Sequence, residues 1–125
     1  MDKLIIGLSA ESTTVVGPSN TARTMGSGDL PVFATPAMIA LMENAAMQAV
    51  ASALPEGMTT VGAEMNATHV KPSGVGAEIT ATAVLTAIDG RKLTFRVEAR
   101  DAAGPIGSGT HVRYAVDRVR FLAKL

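Results

Sequence analysis

Apolar and polar positions change their period once along the chain, from helical to alternating. Residues 36–54 are rich in Ala, Met and Leu, all strong helix formers. The regular polar stripe there, Asn44, Gln48 and Ser52, is narrow, which predicts one helix buried on most sides. Thr35 suits the N-cap, Pro36 the first helical position, and Leu54-Pro55-Glu56-Gly57 the stop. At ~1.5 Å per residue that helix crosses a small domain. From residue 60 onward, apolar residues alternate. The apolar register is Val61, Ala63, Met65, Ala67 and His69 in the first run, and Ala77, Ile79, Ala81, Ala83, Leu85 and Ala87 in the second. Leu93, Phe95, Val97 and Ala99 carry the third run, and Ile106–Val116 closes the series. Asp89-Gly90 and Ala103-Gly104 fit hairpin turns, and Lys71-Pro72-Ser73-Gly74 a wider one. Ser12–Val16 fits a short fifth strand. Residues 17–31 hold three glycines and two prolines and read as one long loop, of a length common in lids and binding loops.

One buried helix followed by four successive antiparallel strands predicts an α+β domain in which a sheet wraps the helix. That is the hot-dog architecture. Ferredoxin-like and cystatin-like folds compete, although the ferredoxin-like one needs a second helix that the pattern does not supply. The 125 residues suit a single domain, 1–125.

Composition narrows the chemistry. The chain has no cysteine, which excludes disulfides, a thiolate nucleophile and cysteine-held metals. Eleven basic residues balance eleven acidic ones, and only 3% of residues are aromatic, which argues against nucleic acid. Neither a membrane span nor a signal-peptide core is evident, so a soluble, cytoplasmic protein is expected. Two histidines make a metal site unexpected, and the seven methionines read as core filler.

Three residues break the local pattern. Glu43 lies about 140° around the helix from the centre of the polar stripe, among apolar neighbours. A carboxylate there needs a partner, unless its stem packs while its head reaches solvent. His69 sits on the apolar register of its strand, whereas His111 shares the opposite, more polar register with Arg113 and Asp117. A Glu–His pair would hold the imidazole in one tautomer and raise its basicity. Thr35 is explained as an N-cap, yet its hydroxyl precedes Glu43 by about two turns and would complete a triad-like set. The free amides at the helix N-terminus would then serve an oxyanion. Gly107-Ser108-Gly109-Thr110 reads as close backbone approach rather than a phosphate cradle.

Phe33-Ala34-Thr35-Pro36-Ala37-Met38-Ile39-Ala40-Leu41-Met42-Glu43-Asn44-Ala45 resembles the fluoroacetyl-CoA thioesterase-like family of hot-dog proteins. So do Val61-Gly62-Ala63-Glu64-Met65-Asn66-Ala67-Thr68-His69 and Gly109-Thr110-His111-Val112-Arg113. The resemblance runs from about Val15 to Val116. It implies a catalytic set of Thr35, Glu43 and His69, with Gly62, His69 and Arg113 holding an acyl-CoA substrate. It also implies a homodimer, or a tetramer, with no cofactor beyond the coenzyme A of the substrate. Where the fluoroacetate-specific enzyme carries lid phenylalanines, this chain has Met25-Gly26-Ser27-Gly28-Asp29-Leu30. Selectivity for a fluorinated acyl group is therefore not expected, and the expected substrate is a short-chain acyl-CoA. A non-catalytic acyl-CoA binding module, a hydratase on the same fold and a purely structural dimer are the alternatives.

Overall fold

A computed structural model describes all residues, 1–125. Strand β1 (Ser9–Val15) and a one-turn helix α1 (Ala22–Met25) precede the long helix α2 (Thr35–Ala51). Strands β2 (Met58–His69), β3 (Glu78–Asp89), β4 (Lys92–Asp101) and β5 (Gly104–Asp117) follow, and α3 (Arg118–Ala123) ends the chain.

All five strands form one antiparallel sheet, in the order β1-β3-β4-β5-β2. The expected run of strands is therefore corrected in one respect. Strand β2 does not pair with β3, its successor, but crosses to the far edge and pairs with β5 from Met58↔Asp117 to His69↔Gly107. The Ser12–Val16 strand exists as Ser9–Val15, on the opposite edge beside β3.

Helix α2 touches β1 and β2, which are opposite edges, as well as β3 and β4. Five strands at ~4.8 Å spacing are wider than one helix, so the sheet must curl around α2 to reach it from both edges. This is the hot-dog arrangement. Met38, Met42, Ala45, Ala46 and Val50 of α2 are buried against Ile79, Ala81, Ala83, Leu85, Leu93, Phe95, Val97 and Ala99. The predicted register of β4, and that of β3 as far as Leu85, is thus the core register; a shift between Leu85 and Ala87 leaves Ala87 exposed. The stripe Asn44, Gln48 and Ser52 is exposed, as its spacing predicts.

Two expectations fail locally, and one element was not anticipated. The helix is capped by the Ala34 backbone without a side-chain bond, and Thr35 is its first residue, so Thr35 is not the N-cap. The 17–31 segment is not one open loop. The Thr21 side chain caps α1 by accepting from the Thr24 amide, and Gly26 at φ +76° closes that turn in the left-handed region. Bridges Thr21↔Phe33 and Val32↔Gly74 then tie the segment down. Helix α3 was not predicted; Asp117 caps it by accepting from the Arg120 amide.

Candidate active site

Strand β2 carries the site because it changes face midway. A bulge between Gly62 and Glu64 inserts Ala63, so Thr60 and Gly62 face the helix before it, and Met65, Ala67 and His69 after it. The strict odd register expected for β2 therefore holds only from Met65 onward. On β5 the odd residues Gly107, Gly109, His111, Arg113 and Ala115 face the same way. His111 (1% exposed) and Arg113 (6%) are buried, so the register read as polar is in fact the interior one. A Cβ on Gly107 would stand 2.7 Å from Met38 Sδ, which bears out the close approach expected there.

Two polar clusters result. At the N-terminus of α2, Thr35 Oγ1 lies 2.8 Å from His69 Nδ1. Because the helix does not use that hydroxyl as a cap, it is free to meet the imidazole. Phe33 packs edge-on to the ring at 6.4 Å between centroids. The other nitrogen, His69 Nε2, is buried without a hydrogen-bond partner. Desolvation lowers the His69 pKa below the free-imidazole value, with an opposing contribution from the Lys71 backbone that does not reach hydrogen-bond geometry at Nε2. A cleft of about 270 Å³ opens beside the pair, walled by Ala22, Ser27, Phe33, Val70 and Pro72.

The second cluster surrounds Glu43, two turns further along α2. Its Oε2 lies 3.7 Å from Arg113 Nη1 and 3.9 Å from His111 Nε2. The position of Gly62 is what admits this carboxylate, since a Cβ there would stand 2.5 Å from Oε2. Arg113 donates through Nε to Thr60 Oγ1 (2.8 Å) and through Nη2 to the Thr60 carbonyl (3.0 Å). Its buried charge is disfavoured by desolvation and supported by Glu43.

Within one chain, then, Thr35 meets His69, and Glu43 meets Gly62 and Arg113, but the expected Glu43–His69 pair does not form. Seven residue steps along β2, one of them absorbed by the bulge, separate Gly62 from His69 at ~3.3 Å per step. Glu43 is half-buried, its side chain 41% exposed, at the edge of the face that β2 leaves open. Sequence reading missed Thr60 and the inward turn of His111. The signal available was the i, i+2 pairing of His111 with Arg113, opposite a glycine in β2.

Residues 16–119 match the model of the family described as FlK, fluoroacetyl-CoA-specific thioesterase. The chain belongs to that family. It is 40% identical, over 94 residues, to the fluoroacetyl-CoA thioesterase of Streptantibioticus cattleyicolor, covering 75% of this chain and 68% of the relative. Among solved structures, a variant of the fluoroacetyl-CoA thioesterase FlK in complex with acetyl-CoA superposes with a TM-score of 0.90. It is 35% identical, covering 97% of this chain and 96% of that one. A thioesterase superfamily member from Thermus thermophilus follows at TM-score 0.88 and 29% identity, over 96% and 89% of the two chains. No helix here is long and apolar enough to cross a membrane.

Proposed function

We propose that the protein is a cytoplasmic thioester hydrolase acting on short-chain acyl-CoA, as a homodimer whose two protomers each complete the other's site. Thr35 and His69 of one protomer would face Glu43, Gly62 and Arg113 of its partner. The observation that carries the reading is the uncapped Thr35 hydroxyl 2.8 Å from His69 Nδ1, with the opposite nitrogen of the ring buried and unpaired. A ring that accepts the Thr35 proton at Nδ1 carries its own proton on Nε2, and that N–H lacks an acceptor. A carboxylate supplies one.

Strand β2 offers the means. Its outer edge is twelve residues long and unpaired in the single chain, a form that invites another strand. Antiparallel self-pairing about a two-fold axis at Asn66 keeps inward residues opposite inward ones. The Ala63 bulge then takes up one residue, and Gly62 falls opposite the partner's His69. Glu43, seated over Gly62, is carried toward the ring that bears the orphan Nε2–H.

In this arrangement His69 takes a proton from Thr35, or from a water held in its place, as the oxygen attacks the thioester carbonyl. The first-turn amides of α2, with the Gly62 backbone, receive the developing oxyanion. His69 then returns the proton to the departing CoA sulfur, and water completes the hydrolysis to the free acid. The partner's Glu43 holds the imidazolium formed in between. Arg113 stabilises the carboxylate through charge alone, from 3.7 Å, and helps to hold the CoA thioester, and the chemistry calls for no further cofactor. The cleft beside Thr35 has room for a short acyl chain, and its walls at Ala22 and Ser27 are small.

Thiol release from a panel of acyl-CoAs tests this. Short-chain acyl-CoAs should be hydrolysed, with losses of ~10²-fold or more for His69→Ala and Glu43→Ala. Full activity in both variants would overturn the assignment. Tight binding by calorimetry without thiol release would mark a binding module instead. A burst of thiol in the first turnover separates an acyl-Thr35 intermediate from direct attack by water.

A further inference from the structure

His111 is a second histidine on the inner face, and the reaction described above does not use it. Its two ring nitrogens are nevertheless fully specified. Nδ1 lies 2.7 Å from the Glu64 carbonyl oxygen, which only accepts, so Nδ1 carries the proton. Nε2 lies 3.1 Å from Arg113 Nη1, which only donates, so Nε2 carries the lone pair. His111 is therefore the neutral Nδ1–H tautomer. A second proton would set N–H against N–H in a site that is 1% exposed.

Every element packed around the ring fits that state. From β5 comes the Arg113 cation, from β2 the Glu64 carbonyl of the bulge, and from β4 the Phe95 ring, 6.2 Å away between centroids. The helix α2 contributes Glu43, whose carboxylate stops 3.9 Å short of Nε2. Burial lowers the His111 pKa most; the hydrogen bond to the Glu64 carbonyl opposes it, and the Arg113 charge (lowering) and the Glu43 charge (raising) contribute less.

The consequence concerns Arg113. Its donors go to Thr60 Oγ1, the Thr60 carbonyl and His111 Nε2, so the guanidinium is held 3.7 Å from Glu43. That is beyond the ~2.7–2.9 Å of a charge-assisted hydrogen bond. We propose that His111 is a positioning residue: as a neutral acceptor it holds Arg113 just short of Glu43, which leaves the carboxylate free for the partner's His69. The same ring pins the bulge that turns Gly62 toward the helix. Without the acceptor, Nη1 turns to Glu43 and competes with the imidazole for it. This role rests on the thioesterase reading above.

The test compares His111→Gln with His111→Phe, alone and with Glu43→Gln. Glutamine retains an acceptor for Arg113 and a donor for Glu64, whereas phenylalanine retains neither. His111→Phe should lower kcat ~10-fold or more with KM changed less than ~3-fold, and His111→Gln should keep most of kcat. In the Glu43→Gln background, His111→Phe should cost less than ~2-fold more, because the group it serves is already gone. Nitrogen NMR of the wild type should show His111 as the neutral Nδ1–H tautomer at pH 8 and at pH 7. Multiplicative losses in the double variant, equal losses for Gln and Phe, or an imidazolium signature at pH 7 would each overturn the role. Absence of thiol release in the wild type is a different result, since it removes the thioesterase reading, and the nitrogen spectra still report the tautomer.

Discussion

Thr35 Oγ1 and His69 Nδ1, 34 residues apart in sequence, stand 2.8 Å from each other where α2 begins and β2 ends. The contact exists because Ala34, not Thr35, occupies the cap position. A capping threonine contributes about 1 kcal/mol, equal to about 4 °C in Tm for a domain of this size. Thr35 makes no such bond. Thr35→Ala should therefore shift Tm by less than ~2 °C while slowing thiol release ~10²-fold, and Thr35→Ser should keep much of the rate. A variant that melts several degrees lower yet hydrolyses normally would return Thr35 to a purely structural role.

Gly62 makes a second claim separable from stability. Its φ is not in the left-handed region, so alanine is conformationally acceptable at 62. The new Cβ would nonetheless stand 2.5 Å from Glu43 Oε2 and 3.4 Å from Arg113 Nη1. The carboxylate is the movable party and must leave. Gly62→Ala should fold with a near-normal circular dichroism spectrum and lose ~10-fold or more in kcat/KM, while Ala63→Gly on the bulge should not. Normal kinetics in Gly62→Ala would show that the observed seat of Glu43 is not the working one.

What the pattern could and could not reveal follows from the range of the forces involved. The registers of β3 and β4 were legible because Ile79 to Leu85 and Leu93 to Ala99 face a core that tolerates only apolar side chains. The β2 register was misread at its start because a bulge is one extra residue with no compositional mark, and Val61 mimics the core period. His111 and Arg113 look polar in sequence, but once buried they are satisfied by each other and by Glu64 and Thr60, which lie 47 and 53 residues away. Of the candidate set, Thr35 and His69 came together as expected. Glu43 was correctly singled out as misplaced, but given the wrong neighbour within its own chain. A partner supplied by a second copy, as proposed above, would leave no trace in the spacing along one chain.

Acid should weaken the fold in two stages. His111 is held neutral with its folded pKa below the 6.5 of the free group, so between these values the unfolded chain binds a proton that the folded one refuses. Its contribution is complete above pH 6.5 and is lost as pH falls. Asp101 accepts from Lys71 Nζ (2.7 Å), Ser73 Oγ (2.9 Å) and the Ala103 amide (2.9 Å), which bring its pKa from 3.8 to about 2. Its contribution is complete above pH 3.8 and disappears toward pH 2. Thermal melts from pH 8 to 3 should show Tm falling first below pH 6.5 and again below pH 4, the second step being smaller in Asp101→Asn. A Tm that rises between pH 7 and 5.5 would contradict the neutral, buried His111.

The Asn66 axis is testable because the chain holds no cysteine of its own. In antiparallel self-pairing about that residue, the two Asn66 Cα atoms stand about 4.5–5.5 Å apart, within disulfide range. Asn66→Cys should oxidise to a covalent dimer that still releases thiol. A cysteine that stays monomeric on oxidising gels would move the axis elsewhere. Complementation then decides whether the site is shared. Glu43→Ala and His69→Ala are each expected to be inactive. When the two are unfolded, mixed equally and refolded, half of the dimers are mixed. In each of these one site carries both defects and the other carries neither, so activity should recover to about a quarter of wild type. If Glu43 served the His69 of its own chain, every site in the mixture would carry one defect, and mixing would restore nothing.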